Sequence, residues 1–172
     1  MLNLLRKSAA CKRDGARLHT ALVARARQPV FYREFGVADS IDGRFDMVVL
    51  QAWLALSGLK AVGAHQQAQG LTDAIFVGFD EAMREQGAGD MGLSRKMKAF
   101  ADAFFGRLNA YEAAGPSPEA LAVALARNLY RGGADDGRAL VLARYALAAG
   151  PFLRASLPES LDFGPLPGEA GP

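Results

Sequence analysis

Apolar residues recur at three- and four-residue spacing along most of the chain, the signature of helices with one buried face. The stretch from Ala16 to Arg27 carries Leu18, Ala21, Leu22 and Ala26 at that spacing, with Arg17, Arg25 and Arg27 left to water. Gly15 is expected to separate it from a weaker helical signal over residues 2–13, and Gln28-Pro29 to end it, because a residue before proline is pushed away from helical angles. Pro29 to Gly36 reads as a short turn of helix whose aromatic residues plug the edge of the core. Arg44 to Leu59 is the most apolar segment. Phe45, Val48, Val49, Ala52, Trp53 and Leu56 form its stripe, widened by Leu50 and Leu54, which predicts a central, buried helix. Leu71, Ile75, Phe76, Phe79 and Met83 mark the next helix, with Asp73, Asp80, Glu81 and Arg84 facing out and a stop expected at Gly87.

Past a glycine-rich corner, Ser94 is a reasonable cap for a helix carrying Met97, Ala101, Phe104, Leu108 and Tyr111 on one face. Ser117-Pro118 opens a further helix that should run to Arg131, where Gly132-Gly133 ends it. The last helix spans Asp136 to Ala149 and is stopped by Gly150-Pro151. The proline- and glycine-rich remainder reads as a docked strap and a loose end. No stretch alternates with period two for long, and no repeat of fixed length occurs. The prediction is a single all-α domain of about six helices over residues 16–155, with a basic leader at 1–15 and a tail at 156–172.

Composition changes this picture in two places. No apolar run approaches the roughly 20 residues that cross a bilayer, and the N-terminal segment lacks the apolar core and cleavage site of a secretory signal. Residues 1–27 carry seven basic side chains against Asp14 alone, although the whole chain is only +2, so the rest is net negative. Such a leader suits RNA, ribosome or anionic lipid, or is simply solvated. Cys11 is the one cysteine, which fits a reducing compartment.

Catalytic and metal constellations are not legible. His19 and His65 lie far apart, and one cysteine cannot build a zinc site. Gly87-Ala88-Gly89-Asp90-Met91-Gly92 fits GxGxxG but follows a helix, whereas the dinucleotide fingerprint follows a strand. Asp39 and Asp42 read as turn and cap residues, since a calcium loop needs alternating acids and a closing glutamate. Nothing in the sequence pairs Asp39, Asp46, Glu85 or Asp90 for acid–base work. No catalytic group, cofactor or metal is therefore expected.

Charge is more telling. With Ser94 as cap, Arg95, Lys96 and Lys98 fall on a first helical turn, where the dipole disfavours cations. They call for acidic neighbours such as Glu85 and Asp90, or for an anionic partner. A DNA recognition helix is disfavoured by the negative flanks and the aromatic second half. Gly106, inside the same helix, is expected to admit a neighbouring helix.

Several separated segments resemble the ubiquinol–cytochrome c chaperone family. They are Arg27-Gln28-Pro29-Val30-Phe31-Tyr32, Phe35 to Met47, Met83 to Asp90, Lys96-Met97-Lys98 and Phe104 to Tyr111, in family order over roughly residues 18–150. The sequence departs at Ala88, where a larger aliphatic residue is usual, at Phe105, where tyrosine is common, and over Gly92 to Ser94. The resemblance implies an assembly factor for the cytochrome bc1 complex that holds newly made cytochrome b, with a small partner protein and the ribosome as further partners. It also implies a cytoplasmic protein at the inner face of the membrane, and the short chain points to a bacterial member. A basic nucleic-acid- or ribosome-binding adaptor is the alternative. The expected partner-binding residues are Arg84, Glu85, Gly89, Asp90, Lys96, Lys98 and Arg107, with Asp39, Gly43, Arg44 and Asp46 beside them. The same charges also suit a network that fixes how helices meet.

Overall fold

The computed structural model describes residues 2–85, 90–133 and 137–166, and the side chains of all of these except 2–8, 90 and 91. The described residues form α1 (Leu2–Ala26), α2 (Pro29–Arg33), α3 (Ile41–Ala61), α4 (His65–Glu85), α5 (Asp90–Ala114), α6 (Pro118–Asn128), α7 (Arg138–Ala148) and α8 (Gly150–Ser156). Six are long and two, α2 and α8, are short, with no strand among the described residues. The single all-α domain predicted from the apolar spacing is the observed architecture.

The most apolar helix is indeed the hub. α3 packs against α1, α4, α5 and α8, and its residues from Asp46 to Ala55 are all buried. Its start is set by Ser40, whose side chain accepts a hydrogen bond from the Gly43 N–H, so the helix begins three residues before the expected Arg44. Gly43 also lies against the preceding loop: a Cβ there would stand 1.9 Å from the Ala38 carbonyl oxygen. Ser117 caps α6 through the Ala120 N–H, as its position before Pro118 predicts.

Other expectations need correction, and glycine explains most of them. α1 does not break at Gly15 but runs through it. The missing side chain lets α4 approach, since a Cβ on Gly15 would lie 2.1 Å from the Gly70 carbonyl oxygen, and one on Gly70 2.5 Å from that of Cys11. Gly106, by contrast, faces open space with nothing within 4 Å of a built Cβ, so it admits no neighbouring helix. Gly150-Pro151 does not lead directly into the strap: proline in the first turn starts α8, and the docked segment follows only after Ser156. α5 begins at Asp90, so Ser94 lies within it rather than capping it. The stop expected at Gly87 lies outside the described residues.

The segment after α8 lies along α1. Arg17 donates to the Glu159 carbonyl and, at 3.4 Å, to that of Pro158. Arg25 donates to the Tyr145 hydroxyl and to the carbonyls of Gly164 and Pro165, each at 3.0 Å. Leu157 and Phe163 are buried beneath these contacts.

Candidate functional site

The residues singled out from sequence separate into three groups. The first is a buried ionic knot. Asp42 and Asp46 are four apart on α3 and so share a face. Asp46 is fully buried, its Oδ1 2.7 Å from Nε of Arg107 on α5 and its Oδ2 3.3 Å from Nη2 of Arg131. The Arg107 N–H is poorly aligned with that oxygen, so the contact acts as an ion pair more than a hydrogen bond. Arg131 also meets Asp42 at 3.3 Å. The Arg107 guanidinium lies 4.9 Å over the Phe45 ring. Burial pushes the Asp46 carboxyl up to about 6, against the pull of Arg107 and then Arg131. Burial likewise raises the neighbouring Tyr111 hydroxyl, helped by the Asp46 charge.

Arg131 was not legible in the sequence. It sits past α6 with φ 54°, a left-handed conformation that costs a side-chain-bearing residue about 1–2 kcal/mol. Gly132 follows at φ 71°, and the pair turns the chain so that the guanidinium returns to α3.

The second group joins the connector between α2 and α3 to the first turn of α3. Asp39 holds Arg44 through Oδ1 and Nε at 2.7 Å, and both side chains are more than half exposed. The third is the corner between α4 and α5. Arg84 pairs with Asp80 one turn back at 2.8 Å, and Glu85 is exposed at the end of α4. Lys96 and Lys98 are exposed on α5, and with Arg95 they make no ion pair among the described residues, so Glu85 does not neutralise them. Because α5 starts at Asp90, these cations also sit beyond its first turn, which removes most of the expected clash with the dipole. Gly89 and the side chain of Asp90 lie outside what is described.

The expected residues thus occupy different places in the fold. Lys98 and Arg107 are nine residues apart on one helix, roughly 14 Å along its axis. Asp46 and Arg107 serve the junction of α3 and α5, and Gly43 serves the entry to α3, whereas Arg44, Lys96 and Lys98 remain open to solvent.

Aromatic rings occupy the space around the knot. Phe45, Phe76, Phe79, Phe100 and Phe104 pack with centroids 4.0–5.9 Å apart, and Phe105 continues the cluster to the surface, where it is 47% exposed. Beside it a groove of about 330 Å³ runs between α3, α4 and α5. Trp53, Leu56, His65, Phe105 and Leu108 line it, and Lys60 and Glu112 supply its charge. Glu112 accepts hydrogen bonds from Trp53 Nε1 at 3.0 Å and Ser57 Oγ at 3.3 Å, fixing one wall.

The sequence profile described as "Ubiquinol-cytochrome C chaperone" matches residues 33–159. No curated protein matches the chain. Among solved structures, the Cbp3 homolog from Brucella abortus is 36% identical and superposes with a TM-score of 0.75, over 92% of this chain and 90% of that one. The matched residues include α3 and the Asp46–Arg107–Arg131 knot, together with the groove beside it. The chain belongs to the ubiquinol–cytochrome c chaperone family.

Proposed function

We propose that this protein is a non-enzymatic assembly chaperone for the cytochrome bc1 complex, holding newly made cytochrome b at the inner face of the cell membrane. A small partner protein and the ribosome are its further partners, and its contact with the membrane is peripheral. The observation that carries the reading is the family match over residues 33–159, on a fold shared with the Cbp3 homolog along nearly its whole length.

The geometry supports it physically. A chaperone for an apolar client needs an accessible apolar surface on a rigid frame. The half-exposed Phe105 and the groove beside Trp53 and Leu108 offer one, backed by buried aromatic packing. No helix among the described residues is long and apolar enough to cross a membrane, so a membrane client would be met at its surface.

Deletion of the gene tests the reading. Haem b absorbance and quinol–cytochrome c reductase activity should both fall in isolated membranes and return with the intact chain. Normal levels of both in the deletion strain would overturn it.

A further inference from the structure

Three arginines at or just beyond three different helices converge in the fold. Arg27 follows the end of α1, Arg33 closes α2, and Arg44 lies on the first turns of α3. All three are exposed and line one open cavity of about 570 Å³, whose remaining wall is Pro29, Tyr32 and Asp39. Asp39 is committed to Arg44 at 2.7 Å, whereas Arg27 and Arg33 make no ion pair among the described residues. Like charges gathered without matching counter-ions repel one another until an anion arrives. Guanidinium forks match phosphate oxygens in particular, since each presents paired N–H donors in a plane.

A second feature adjoins this basin. Arg27 and Arg44 also border an apolar groove of about 280 Å³ between α1, α3 and α4, lined by Val23, Phe45, Val48 and Phe79. Ile41 stands at the same groove and is 72% exposed, an unusual place for a large aliphatic side chain. A free phosphate ion would use the arginines and leave the groove empty. A nucleic-acid backbone would use the arginines but has no aliphatic chain for the groove. A phospholipid supplies both parts in one molecule, and the basin and the groove adjoin through their shared Arg27 and Arg44.

We propose that this basin is a headgroup site for an anionic phospholipid. The phosphate sits among Arg27, Arg33 and Arg44, and Ile41 with the adjoining groove meets the start of an acyl chain. The proposal rests on the peripheral membrane contact put forward above and names the site and the lipid chemistry that make it.

The test uses the purified full chain and sedimentation with vesicles of phosphatidylcholine, alone or doped with phosphatidylglycerol, at constant ionic strength. Binding is expected to the doped vesicles only. Because each basic side chain near an anionic surface is worth about a fivefold change, Arg27→Gln with Arg33→Gln should weaken it about thirtyfold. Ile41→Ser should weaken it severalfold without changing its salt dependence. Lys12→Gln with Arg13→Gln, on the outer half of α1, should leave it within about twofold. The melting temperature of each variant is recorded alongside, and all are expected to match the parent because the altered side chains are exposed.

Equal loss in the Lys12/Arg13 pair, or equal binding to undoped vesicles, would overturn the proposal, since either makes the contact non-specific. It also fails if inorganic phosphate or RNA binds through Arg27 and Arg33 while doped vesicles do not. The outcome is separable from the client reading. Vesicle indifference leaves the deletion phenotype standing, and a silent deletion leaves the vesicle measurement standing.

Discussion

Asp46 shows how much one side chain can decide. Burial lifts its carboxyl from an ordinary 3.8 to about 6, so the folded state holds this proton more tightly than the unfolded chain. Between those values the native state carries the extra proton, and stability falls as pH rises. The contribution is complete below about pH 4 and is lost as pH passes through 6. Asp46→Asn is neutral throughout and escapes that loss. Removing the anion does not strand a buried cation, because Arg131 is 54% exposed and Arg107 keeps both its 17% exposure and the Phe45 face. Urea unfolding at several pH values should therefore show the variant gaining on the parent by on the order of 2 kcal/mol between pH 4 and pH 7. Parallel stability curves would count against this account. Arg107→Met acts in the opposite sense, leaving a fully buried carboxylate with only Arg131. It should cost about 3 kcal/mol near pH 7 and much less near pH 4, where the carboxyl is protonated.

Among the helices, glycine separates what sequence shows from what only packing reveals. Gly15 and Gly106 both interrupt helical patterns, yet one forms a crossing and the other forms nothing. Their difference lies in the neighbour: the Gly70 carbonyl faces Gly15 at 2.1 Å from a built Cβ, and Gly106 faces open space. Gly15→Ala should lower stability by about 1–2 kcal/mol, because overpacking of about 1–3 kcal/mol against a rigid backbone exceeds the gain in helix propensity. Gly106→Ala should raise it by about 1 kcal/mol. Thermal melts of the two variants should shift in opposite directions, and shifts of the same sign would mean that the crossing is not tight. Periodicity and capping are local, so the stripe of α3 and the Ser117-Pro118 start of α6 could be read directly. The path of α1 through Gly15 depends on a partner distant in sequence, the Gly70 backbone of α4. The same holds for the knot: Asp46 and Arg107 stood in segments resembling the family, but Arg131 enters only through a left-handed turn.

At the scale of the whole molecule, the exposed charges of the corner and the apolar groove compete for the role of docking face. Lys96 and Lys98 are exposed and make no ion pair among the described residues, so they cost little to change. Lys96→Glu with Lys98→Glu should alter stability by no more than about 0.5 kcal/mol. Any loss of function in that variant then reports on binding rather than folding. Phe105 is the matching probe for the groove, since its half-exposed ring lies on the same helix and lines the opening beside Leu108. Both variants can be placed in the deletion strain, with crosslinked partners recovered by affinity purification and haem b measured in the same membranes. If the corner carries the client, the lysine variant should recover severalfold less crosslinked partner while Phe105→Ser recovers an undiminished amount. The reverse pattern would assign the client to the groove and leave the corner charges without a part in its capture. A joint, partial loss is the result expected of one extended surface, but the corner cations lie roughly 10–14 Å along α5 from Phe105, so that surface would have to span two to three helical turns. A short helical segment of a membrane client is long enough to cover that distance, whereas a single side-chain anchor is not.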